Sequence, residues 1–123
     1  MYKYQLTIGL NDKNTEKQEI KTADAKSIIS NVLINNYDIF AFTMIDCYGV
    51  YKMNSTGAII QEASIRIEIA SDDDLNAIYP AENIQNANGD KLTVLNAMIN
   101  ELKYILNQES IMIETSESEI NFR

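Results

Sequence analysis

The stretch Asp46-Cys47-Tyr48-Gly49-Val50-Tyr51 gathers a carboxylate, a thiol and two phenols into one short run. Beyond a turn, Gln61 to Glu68 alternates polar and apolar residues and carries Glu62, Ser64, Arg66 and Glu68. If the two runs are strands of one hairpin, Asp46, Tyr48, Tyr51, Glu62 and Arg66 become candidates for a shared pocket. Carboxylates in such a pocket can move protons, and a guanidinium can bind an anion. Gly49 inside a strand signals a bulge, and burial beside it would fit Asp46 to carry a proton. The structural alternative is two tyrosines capping the core, with Asp46 bonded to backbone at the bulge. For Arg66 the alternative is a wet sheet face and a pairing with Glu62 or Glu68.

Much familiar chemistry is missing. Histidine is absent, which removes the usual general base and the usual zinc ligand. Cys47 is the sole cysteine, so no disulfide can form within the chain, and its apolar setting predicts an inert, buried thiol. Asp72-Asp73-Asp74 lacks the alternating oxygens, glycine and distant glutamate of a calcium loop; capping a helix turn behind Ser71 fits it better. Glycine-rich phosphate loops, paired CxxC motifs and GxSxG elbows do not occur. The expectation is therefore no catalytic residue, no metal and no cofactor.

Charge and hydropathy narrow the class further. Acidic residues number 18 and basic ones 10, a net charge of -8 over 123 residues. Such a surface repels nucleic acid, whose affinity comes largely from phosphate neutralisation. It leaves a cation or a basic protein surface as partners, beside plain solubility. No apolar run approaches the roughly 18 residues of a membrane span. Met1 to Gln5 does not open a signal peptide, and a reducing cytoplasm is the expected setting.

The elements that must hold these residues follow from periodicity. Tyr2, Tyr4, Leu6, Ile8 and Leu10 alternate with polar partners, which predicts a strand over 2–10. Ala25, Ile28, Ile29, Val32 and Leu33 recur at helical spacing, a helix over 23–35 capped by Thr22. Strands follow over 39–53 and 58–70, joined by Asn54-Ser55-Thr56-Gly57. A second helix over 91–107 carries Leu92, Leu95, Met98, Ile99, Leu102, Ile105 and Leu106, and a strand over 110–115 follows. Ile120 and Phe122 permit a short last strand. The order β-α-β-β-α-β predicts an α+β, ferredoxin-like domain over 1–123, with two helices on one face of a four-stranded antiparallel sheet. Its predicted core includes Leu6, Ile8, Ile28, Val32, Ile65, Ile67, Leu95 and Leu102.

Strand 39–53 is apolar on both parities and lies at an edge. Ile39, Ala41, Ile45 and Met53 are therefore candidate interface residues, and a homodimer or higher closed oligomer is expected.

The order of short motifs resembles a family of small bacterial proteins with no assigned reaction. The matching features are Gly9-Leu10 at the first strand's end, the Asp46-Cys47-Tyr48-Gly49-Val50-Tyr51 stem, Gly57, Glu62 and Ser64 at the third strand's start, and Gln108-Glu109-Ser110. Tyr51 stands where that family carries Trp, and 80–89 reads as an insertion. The resemblance implies a ferredoxin-like fold and no reaction. The trimeric signal-transduction and cation-tolerance proteins share the long hairpin, and the dimeric α/β-barrel monooxygenases share the sheet-face pocket, without matching motifs. The leading expectation is a non-catalytic binding or regulatory module. The alternatives are a small metal-free enzyme of the dimeric barrel type and an acidic mobile-element inhibitor of a basic surface.

Overall fold

The computed structural model describes residues 1–77 and 93–117. Strand β1 (Tyr2–Gly9) leads to helix α1 (Thr22–Asn31), which runs on into a π-helical turn at Val32–Asn36. Strands β2 (Phe42–Lys52) and β3 (Ile59–Ser71) form the long hairpin, followed by helix α2 (Val94–Ile105) and strand β4 (Met112–Glu117). The sheet order is β2-β3-β1-β4 and every pairing is antiparallel. This is the ferredoxin-like arrangement that the switch between period two and period 3.6 predicts.

The core lies between the helices and one sheet face. Tyr4, Leu6 and Ile8 of β1 and Ile65, Ile67 and Ile69 of β3 are buried against Ala25, Ile29, Val32 and Leu33, and against Leu95, Met98, Ile99 and Leu102. Ile28 packs at its margin, and Ile105, expected inside, is exposed. Thr93 caps α2 by accepting a hydrogen bond from the Asn96 backbone N–H at 3.1 Å. Thr22 does not cap α1: it is the first helical residue, and its hydroxyl instead accepts from Gln18 Nε2. Ser71 opens a local turn, its hydroxyl accepting from the Asp73 N–H. Lys91, Leu92, the stretch 80–89 and the expected strand at Ile120 and Phe122 lie outside the described residues.

Two expectations about β2 fail for backbone reasons. The strand begins at Phe42, because Asp38 takes a positive φ of 54° and the Ile39 N–H is tied to the Leu33 carbonyl. Phe40 therefore lies outside the strand and is solvent-exposed. Gly49 marks no bulge: the β2–β3 register runs unbroken from Phe42–Ile69 to Lys52–Ile59. Asp46 and Tyr48 simply continue the face of Phe42 and Met44 beyond the core.

Candidate functional site

Strand β3 outlasts β1. Their pairing closes at Gly9–Ser64, and a Leu10 N–H to Ala63 carbonyl bond follows; Ile59 to Glu62 pair with β2 alone. The hairpin thus overhangs the rest of the sheet, and Glu62 emerges beside the end of β1 on the face away from the helices. Its carboxylate accepts a 2.9 Å hydrogen bond from the Asn11 backbone N–H and lies over Gly9. A Cβ on Gly9 would overlap that carboxylate, so a larger residue there would turn the Glu62 side chain aside. Sequence reading placed Gly9 in the strand and gave it no such task.

Two connections complete the wall. The loop after β1 is pinned at Asp12, whose carboxylate accepts from the Asn14 and Thr15 N–H groups and from Asn107 Nδ2. The Asn107 amide, joined by the backbone donors, holds this carboxyl below its ordinary range. Across the gap, Asn107 takes a left-handed φ of 49° and accepts from the Lys13 N–H through its carbonyl. Gln108 is buried and donates from Nε2 to the Asn11 carbonyl at 2.8 Å. The α2–β4 connection and the β1–α1 loop are therefore laced together, which orients Glu109 and Ser110.

Between them opens a cleft of about 290 Å³. Asp12, Glu16, Glu62 and Glu109 bring four carboxylates to it and Lys13 one ammonium. Tyr51, Met53 and Ile60 supply an apolar wall; Gln108 and Ser110 supply hydrogen-bonding groups. A site of this composition favours a cation attached to a flat or apolar body. Among the described residues, no group of three or more His, Cys, Asp or Glu side chains is arranged to hold a metal ion.

The sequence-derived pocket is only partly assembled. Tyr51 and Glu62 line the cleft. Asp46 faces the helix side and forms a 2.5 Å ion pair with Lys26 of α1, with 61% of its side chain exposed, so it is neither buried nor in the cleft. Tyr48 shares that side and donates its hydroxyl to Gln61 Oε1 at 2.6 Å. Arg66 sits two positions beyond Ser64 on the open face. Cys47 is half-buried, not sealed in the core, because its side of β2 has no helix over it. Of the expected interface residues, Ile39 is buried in the core and Met53 faces the cleft, while Ala41 and Ile45 are exposed. The contributions of Gly9, Asn11, Asp12, Gln108 and Glu109 escaped the sequence reading. The signals in the sequence are Gly9-Leu10 and Gln108-Glu109-Ser110, both among the short motifs of the family resemblance.

No helix among the described residues is long and apolar enough to cross a membrane. No family model matches the chain, and neither does any curated protein. Two solved structures do match its fold. One is a phage SAM lyase in complex with S-methyl-5'-thioadenosine, with a TM-score of 0.58 and 19% identity over 94% of this chain and 80% of that one. The other is a phage SAM lyase in its apo state, with a TM-score of 0.52 and 17% identity over 94% of this chain and 78% of that one. This likeness corrects the leading expectation from sequence. The absence of recognisable catalytic motifs argued for a non-catalytic module, yet the solved chains that share the fold are lyases, which are enzymes.

Proposed function

We propose that this protein binds S-adenosylmethionine (SAM) in the Glu62 cleft and cleaves it, releasing S-methyl-5'-thioadenosine. The observation that carries this reading is the cleft's composition: four acidic residues and one lysine line it, beside an apolar wall. SAM is a sulfonium cation with a flat aromatic base, which matches that composition. Tyr51, Met53 and Ile60 would pack against the adenosine, and Glu62 would face the sulfonium. The fold shared with the SAM lyases supports the same ligand.

The reaction needs no added reactant. The bond between sulfur and the chain carbon of the amino-acid portion breaks, and its electron pair stays on sulfur as a neutral thioether. The remaining fragment is completed by its own carboxylate closing a ring, or by loss of a proton to a base; Glu62 is the carboxylate placed for the second route. A carboxylate fixed by the Asn11 N–H and by close contact with Gly9 is preorganised, which is how electrostatic catalysis works without a reorganisation penalty. Incubating the protein with SAM should yield S-methyl-5'-thioadenosine by liquid chromatography. Glu62→Gln should lower the rate by about 10²-fold or more. No thioether from the wild-type chain, or an undiminished rate in the variant, would reject the assignment.

The exposed apolar residues of the hairpin support self-association as a companion proposal. Ile45, Tyr48, Val50, Tyr51 and Ile59 are each at least 40% exposed on one projecting element. A partner copy laid along it would cover them. Light scattering should give a mass that is a multiple of 13.9 kDa; a monomer at high micromolar concentration would contradict it.

A further inference from the structure

We infer that Arg66 binds the carboxylate of the ligand's α-amino-acid end, so that the open sheet face beside the cleft reads a zwitterionic headgroup; this rests on the SAM reading above. Arg66 lies near the centre of the sheet, opposite Thr7 on β1 and Ile45 on β2. Its Nε is buried and has no hydrogen-bond partner. Among the described residues no carboxylate comes within ion-pairing distance of it; the ion pair found there is Lys26–Asp46. Neither Glu62 nor Glu68, the neighbours on its own strand face, pairs with it. Glu62 is turned instead toward the Asn11 N–H and Gly9.

A half-buried guanidinium with an unused N–H is uncommon, because buried donors are normally satisfied. In a chain of net charge -8 it is more unusual still, since carboxylates are plentiful. Its position relative to the cleft gives the orphan donor a use. Glu62, Ser64 and Arg66 follow one another on the same face of β3. Four residues of strand span about 13 Å between Cα atoms. An extended arginine and a glutamate reaching inward close most of that distance, leaving room for a small charged headgroup. With Glu62 facing the sulfonium, the amino-acid end offers its carboxylate to the planar fork of Arg66. Ser64, which is buried, and Gly9 leave the floor between them low.

S-adenosylhomocysteine and S-methyl-5'-thioadenosine test this without turnover, because both are neutral thioethers that differ at the amino-acid end. Isothermal titration of the whole chain should show Arg66→Met weakening S-adenosylhomocysteine by roughly tenfold or more while the shorter thioether stays within about twofold. Arg66→Lys should fall between. In the wild-type protein, the decarboxylated form of S-adenosylhomocysteine should bind roughly tenfold more weakly than the parent, a result independent of any variant's folding. Equal losses for both thioethers, or no loss for either, would overturn the role of Arg66 while leaving the SAM reading intact. A wild-type chain that binds neither thioether would overturn both.

Discussion

Under the helices, β3 places Ile65, Ile67 and Ile69 at no more than 1% exposure; beyond them, the same strand leaves Ile59 at 67%. Its partner β2 repeats the contrast, with Phe42 and Met44 packed at the core and Tyr48 and Val50 at 63% and 60% exposure. The pairing is the same at both ends, and so is the alternation. What differs is the layer above: α1 and α2 cover one end and nothing described covers the other. Strand periodicity assigns residues to faces, but coverage decides whether an apolar face is core or is left exposed. The covered end supplies rigidity, and the overhang, crossing the end of β1, supplies the cleft.

The sharpest way to break this contrast is to remove equivalent bulk from each end. Leu102→Ala, at a fully buried position, should cost about 2–5 kcal/mol in denaturant unfolding. Ile59→Ala should cost less than about 0.5 kcal/mol, since little apolar area is lost from contact. Equal costs would mean that the overhang is packed in a way the single chain does not contain.

Next comes a polar feature of the covered end. The Tyr4 hydroxyl accepts a 2.8 Å hydrogen bond from the buried Leu75 N–H and donates to Asp74. Tyr4→Phe would strand that N–H, at a cost of about 1–3 kcal/mol. Burial pushes the Tyr4 phenol above its ordinary value of 10.0, partly offset by the Leu75 N–H. A raised folded value means that the neutral phenol contributes stability fully below that ordinary value, and that the contribution fades as pH rises through the folded one. Alkaline titration should therefore destabilise the wild type more than Tyr4→Phe.

The smallest effect belongs to the cleft's rim. The Asp12 carboxyl is held below its ordinary 3.8, chiefly by Asn107. The sign is opposite: this stabilisation is present above that ordinary value and is lost as pH falls through the lower folded one. The protection of the Asn14 and Thr15 amides, taken relative to their intrinsic exchange rates, should fall in acid, and Asp12→Ala should show that loss of protection already at neutral pH.

Much of this contrast was readable in advance, and the unreadable part has a physical cause. Strand and helix periods gave the element order, and the core followed from it, because Leu6, Ile67 and Leu102 each sit on an apolar stripe. The faces of β3 were equally plain. Asp46 was misplaced because proximity in sequence to Tyr51 says nothing about sheet sides: odd and even positions point apart. The tasks of Gly9 and Asn11 are not legible because what they provide is backbone, an absent Cβ and an N–H, which no side-chain pattern specifies. Gln108 and Asn107 do their work only after the α2–β4 connection meets the β1–α1 loop, a contact across about ninety-five residues.

The overhang cleft is most directly tested by following backbone amide resonances while S-methyl-5'-thioadenosine is added to isotopically labelled protein. Binding there predicts saturable shifts at Gly9, Asn11, Tyr51, Glu62 and Ser110, with Ala25, Lys26 and Asp46 on the covered side unmoved. Saturable shifts confined to the covered side, or no shifts at millimolar ligand, would contradict a thioether site at the end of β1.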